Sequence, residues 1–162
     1  MPDELGDTET VSFRVRPVSV PGELRISWRL AVVVLMLEGC RKQRASLVKL
    51  HVLNDAVRSD DSAQQLRRVL RDELAPSFWR TRVEPAFGRA LDLAVGSGLV
   101  NWVHTTLGAG LELTTKGKEA VAAIHKLEGV LEHEKTVLAE LSPKLSEQRA
   151  ASLTSPKAVA RA

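Results

Sequence analysis

Two short stretches constrain this chain most: Gly98-Leu99-Val100-Asn101-Trp102-Val103 and Leu111-Glu112-Leu113-Thr114-Thr115-Lys116-Gly117. Each has the apolar, β-branched and aromatic content of a strand, and the segment between them, His104 to Gly110, is marked by Gly108 and Gly110 as a turn. The second strand ends in Leu-Thr-x-x-Gly, where Thr114 or Thr115 offers an N-cap hydroxyl to a following helix. A strand, a turn, a strand and a helix in this order define a binding scaffold, but leave open whether its partner is DNA or protein.

The rest of the chain supplies helices. Residues 1–10 are acidic and polar, and Val11-Ser12-Phe13-Arg14-Val15-Arg16 alternates like a half-buried strand before Pro17 and Pro21-Gly22. Ser27 and Gly39 bracket a buried helix over 28–38, whose length and caps outweigh the strand preference of Val32-Val33-Val34. Arg41-Lys42-Gln43-Arg44 reads as a basic loop, and Ser46 caps a helix to about Arg58. On that helix apolar residues cover most of the circumference, leaving His51, Asn54, Asp55 and Arg58 as one narrow polar stripe. Such a stripe is a solvent window, a partner contact or a buried polar lock.

Ser59-Asp60-Asp61-Ser62 predicts a break and a cap for a third helix over 63–74, and Phe78 to Arg82 alternates as a short strand. Glu84-Pro85 opens a further helix with proline at its first position, and Gly96-Ser97-Gly98 stops it. After the hairpin the spacing predicts one long helix to Leu141, with Ile124, Leu127, Leu131 and Leu138 along its apolar side and Gly129 as its weak point. Its length favours a partner contact along that side. Pro143 ends it, and a short helix over 146–153 follows. The expected fold is mainly α with a small β wing: a winged helix-turn-helix domain over 23–117. An acidic tail and arm precede it over 1–22; C-terminal interaction helices over 118–153 and a disordered tail over 154–162 follow.

Composition narrows the chemistry. Cys40 is the only cysteine, so no disulfide framework exists and a reducing cytoplasmic setting is expected. The longest apolar run, Leu30 to Leu37, is eight residues, too short to span a bilayer, and the acidic start lacks the order of a signal peptide. His51, His104, His125 and His133 have no metal-ligand spacing with one another or with Cys40. Gly96-Ser97-Gly98 follows a helix and precedes a strand, the reverse of a phosphate-cradling loop. No paired carboxylates or nucleophile motif appear, so neither catalytic residue, cofactor, metal nor small-molecule substrate is expected.

Charge argues against sequence-specific DNA reading. The net charge is only +3, aromatics are 4% and tyrosine is absent, which leaves little to stack on bases. In a winged helix the helix before the wing usually enters the major groove. Here that helix, Glu84 to Val95, carries Arg89 against Glu84 and Asp92, and the wing tip has no Arg or Lys. Phosphate contacts without specificity are open to Arg41, Lys42, Arg44 and Lys49 around one turn and to Arg67, Arg68 and Arg71 on the third helix. Arg80 and Arg82 lie on the expected short strand.

Two strings carry a family resemblance. Arg44-Ala45-Ser46-Leu47-Val48-Lys49-Leu50-His51-Val52-Leu53-Asn54-Asp55-Ala56-Val57-Arg58-Ser59 is one, and Glu84-Pro85-Ala86-Phe87-Gly88-Arg89-Ala90-Leu91-Asp92-Leu93-Ala94-Val95 the other. Over roughly residues 25–125 the chain resembles the winged-helix middle components of the ABC-three-component bacterial defence systems, the group that includes Lamassu. The resemblance implies a non-catalytic adaptor between an SMC/Rad50-like ATPase and an effector, often a nuclease, in antiphage or antiplasmid defence. The stripe of His51, Asn54, Asp55 and Arg58 falls inside its most specific string. The alternative, from a different class, is a dimeric transcriptional regulator that dimerises through the terminal helix.

Overall fold

The fold is organised around helix α1, Gly22–Glu38. Val32 through Leu37 are all 3% exposed or less, because helices from the rest of the chain close around α1 on every side. That burial overrides the strand preference of the valine triplet. The computed structural model describes residues 22–155, so the alternating stretch at 11–16 and the terminal residues from 156 onward lie outside it. Within it α1 starts earlier than the expected Trp28, and Ser27 is an exposed residue inside the helix rather than its cap.

The expected hairpin is present and longer than its sequence signal. Strands β2 (Val100–Thr105) and β3 (Gly108–Leu113) pair antiparallel from Val100 opposite Leu113 to Thr105 opposite Gly108, so only Thr106 and Leu107 form the turn. A third strand, β1 (Arg44–Ser46), occupies what the sequence suggested was a loop and pairs antiparallel with β3, giving the order β1-β3-β2. Three residues are too few for any periodicity to announce a strand. Gly110 makes the pairing possible: a Cβ there would lie 2.4 Å from the Ala45 carbonyl oxygen.

Leu-Thr-x-x-Gly acts as a weld between sheet and helix. Thr114 Oγ1 accepts from the Gly117 amide at 3.0 Å, capping α5 (Thr115–His125), and its hydroxyl donates toward the Gly98 and Leu99 carbonyls, at 2.6 and 3.0 Å. A Cβ on Gly117 would stand 2.1 Å from that same Leu99 oxygen, so the close approach of helix to strand requires glycine.

Helix α2 (Leu47–Ala56) is capped by Ser46 as expected, its hydroxyl accepting from the Lys49 amide at 3.1 Å. Helix α3 runs over Asp60–Leu70, capped by Ser59, so the residues read as a break form its first turn and it ends sooner than predicted. The stretch from Phe78 to Arg82 is not a strand: a single 3-10 turn at Pro76–Phe78 leads into extended, unpaired backbone. It alternates because Trp79 is buried while Phe78, Arg80 and Arg82 face out, with no sheet partner within reach. Helix α4 (Pro85–Gly96) has proline in its first turn.

The single long terminal helix does not exist. The chain breaks after α5, with Gly129 and Leu131 both in left-handed conformation, and α6 (Glu132–Lys144) turns back against α1, α2 and α3. Pro143 lies inside its last turn. Doubling back buries Val137, Leu138 and Leu141 in the same core as α1 instead of leaving them exposed on a projecting helix. Polar contacts fix the return: Trp28 Nε1 donates to Glu134 at 2.7 Å, Arg67 pairs with Glu140 at 2.8 Å, and His133 reaches the Val57 carbonyl and Asp60. The expected short helix follows as α7 (Glu147–Thr154), which packs on α2 and adds Ala150 and Leu153 to the core.

Gly117→Ala is expected to destabilise the fold by about 1–3 kcal/mol through overpacking against Leu99. A urea titration checks this, and an unchanged midpoint would show that the weld tolerates a methyl group.

Candidate functional site

The polar stripe on α2 divides into a buried lock and an exposed edge. Asn54 and Asp55 are 2% and 6% exposed, His51 is half-buried, and Arg58 alone is exposed. The stripe therefore does not form a continuous surface. It faces the extended segment before α4 and holds it in place.

That segment is gripped at two points. Asp55 Oδ2 accepts the Arg82 backbone amide at 2.5 Å. Two residues on, Glu84 receives both terminal nitrogens of Arg29 from α1, at 2.6 and 3.2 Å. This forked geometry is the strong form of a carboxylate-guanidinium contact. Arg58 stands between the two carboxylates, 3.9 Å from Asp55 and 4.0 Å from Glu84. The Asn54 amide nitrogen beside them is buried without a hydrogen-bond partner. The His51 ring meets Phe87 of α4 edge to face at 5.2 Å.

The two carboxyls respond to this setting in opposite senses. Burial raises the Asp55 pKa, only partly offset by the Arg82 amide and Arg58. The Arg29 hydrogen bond lowers that of Glu84. Burial likewise lowers the His51 pKa, against a smaller opposing pull from Asp55, and so favours its neutral ring.

In front of the lock lies a cleft of about 470 Å³. Arg58, Arg80 and Arg82 line it, with Ser59 and Ser62 from the start of α3, Phe78 and the edge of Asp55. Asp55 Oδ1 is buried without a hydrogen-bond partner. Arg80 and Arg82 form no ion pair among the described residues. Phe78, 61% exposed, lines the cleft, and Val83, 82% exposed, lies on the same extended segment. Sequence reasoning named Arg80 and Arg82 only as scattered bases and missed Phe78 and Val83. The alternation at 78–82 was the available signal, read there as a strand.

The other predicted positions are dispersed. Of the terminal apolar residues, Leu127 is exposed, Ile124 and Leu131 are half-buried against the core, and Leu138 is fully inside it. Among the bases on α3, Arg67 is tied to Glu140, Arg71 lies 3.9 Å from Glu73, and Arg68 is exposed. Arg41, Lys42, Arg44 and Lys49 do come together, around a second cleft beside the hairpin turn.

No protein-family model, no curated protein and no solved structure matches this chain. Among the described residues, no group of three or more His, Cys, Asp and Glu side chains could hold a metal ion, and no helix is long and apolar enough to cross a membrane.

A carboxyl whose pKa is raised on folding stabilises the fold while protonated, and this contribution is lost as pH rises through its folded pKa; one whose pKa is lowered contributes above its unfolded pKa and loses that as pH falls through the folded one. Asp55→Asn is therefore expected to raise the urea midpoint at neutral pH and to converge with the parent chain in acid. Glu84→Gln is expected to lower the neutral midpoint and also to converge in acid. Urea titrations at both pH values check the pair, and a lower neutral midpoint for Asp55→Asn would contradict the assignment.

Proposed function

We propose that this chain is a non-catalytic adaptor built on a winged helix-turn-helix scaffold, joining an SMC/Rad50-like ATPase to an effector in a bacterial antiphage or antiplasmid defence complex. The observation that carries the reading is the surface at the α2–α3 junction. It combines exposed apolar anchors, Phe78 and Val83, with arginines 58, 80 and 82 around a concavity. Arginine and aromatic side chains at a concave, apolar-edged patch are the usual energetic centre of a protein interface. Segment 79–84 has no regular structure of its own, yet Asp55 and Glu84 fix it to the body, so it meets a partner already ordered.

The strand order β1-β3-β2, with helices on either side of β1 in the chain and another before the hairpin, supports the winged-helix part of the reading. The helix before the hairpin supports a protein partner over a DNA site: Asp92 and Leu93 are exposed on α4, and Arg89 is its only base. A dimeric regulator would have used a continuous terminal helix, and the break between α5 and α6 removes that element.

Co-expression with the products of the neighbouring genes, followed by affinity capture, tests the proposal. The parent chain is expected to bring down an ATPase of the SMC type. The pair Phe78→Glu and Arg80→Glu should lower its recovery by about tenfold or more, as loss of interface anchors does. Both side chains are exposed, so an unchanged melting temperature is expected alongside. Full recovery with the double variant would move the interface elsewhere, and a lone homodimer binding its own promoter would favour a regulator.

A further inference from the structure

We propose that the cleft of about 820 Å³ between the turn after α1, the hairpin tip and the start of α7 is a binding site for a phosphate ester, with Lys49 as its anchoring cation. Lys49 is only 5% exposed, yet it lines this cleft and has no carboxylate within salt-bridge distance among the described residues. Its side chain is packed along its length and meets the cleft where cations outnumber carboxylates, and an anion there would balance that excess.

Among the groups that line the cleft, one carboxylate stands against four cations. Glu147, the one carboxylate on the wall, accepts from the Ser46 amide at 3.1 Å with one oxygen and from the Ser46 hydroxyl with the other. The Cys40 thiol beside Lys49 donates to the Met36 carbonyl, and burial raises its pKa despite the lysine, which keeps it a thiol. Arg44 is paired with Glu112 at 2.9 Å. Arg41 and Lys42 stand exposed at the rim with no ion pair among the described residues. Ser146 brings the positive end of the α7 dipole to the same wall.

What the cleft lacks identifies which part of a ligand it reads. Its remaining wall is His104, Thr105 and Thr106 from the hairpin, with no Phe or Trp on which a base could stack. Recognition would fall on the phosphate and be indifferent to sequence. The ester could belong to a nucleic-acid backbone or to a small phosphate compound. The site uses none of the residues of the proposed partner surface, so the two readings stand or fall separately.

Fluorescence anisotropy with a short labelled DNA duplex, titrated with salt, and thermal melting with and without pyrophosphate together test the site. For a backbone ligand, the pair Arg41→Glu and Lys42→Glu should weaken duplex binding by about tenfold or more and flatten the salt slope by about two phosphate contacts, whereas Arg68→Glu with Arg71→Glu should change little. For a small phosphate ligand, the duplex should not bind, while pyrophosphate should raise the melting temperature of the parent chain but not of the Arg41/Lys42 pair. Lys49→Met should lose either response while melting, without ligand, no lower than the parent; a lysine serving only the fold would lower that melting point and leave the ligand response intact. Neither response in the parent chain, equal loss with the Arg68/Arg71 pair, or a Lys49→Met chain that keeps its response would overturn the proposal.

Discussion

Everything in this fold depends on enclosing α1. A helical stretch apolar on all sides cannot lie on a surface, and Val32 to Leu37 reach near-complete burial only because other parts of the chain close around them. This requirement accounts for the return of α6, which brings Val137, Leu138 and Leu141 into the core. It also accounts for the polar contacts radiating from α1: Arg29 reaches Glu84, Trp28 reaches Glu134, and Glu38 meets His125 at 2.8 Å. The helix acts as a hub, with its outer polar residues fixing the elements that its apolar residues gather.

Local chemistry made part of this legible. Ser46 as a cap, Glu84-Pro85 as a helix start, and the hairpin followed by a Thr-capped helix each need only a few adjacent residues, so their signals were intact in the sequence. The misread elements were decided by distant partners. Arg44–Ser46 is a strand because Gly110 lets it approach β3, and nothing near residue 44 says so. The terminal helix kept its apolar period across 126–131, and periodicity cannot tell a helix that continues from two helices that fold back on one core.

The candidate site shows the same division. The grouping of His51, Asn54, Asp55 and Arg58 was visible as helical spacing, but its role was not, because burial depends on what faces the stripe. Asp55 and Asn54 turned inward, Asp55 to hold the segment leading to α4, and the exposed chemistry passed to Phe78, Arg80 and Arg82. A polar residue on a buried helix thus bears on a surface at one remove, by fixing the backbone that displays other side chains.

Ser46 gives the chain a particular order of completion. Its hydroxyl caps α2, while the same hydroxyl and its amide bind Glu147, 101 residues later. During synthesis the start of α2 emerges long before the group that finishes its polar shell. Until α7 follows, Leu50 and Leu53 belong to a core whose last contributors, Ala150 and Leu153, are still inside the ribosome. Contacts of such separation are slow to form and expose apolar surface meanwhile. The last residues of the described chain therefore act as its latch, and a chain truncated before them would present to the cell an open core.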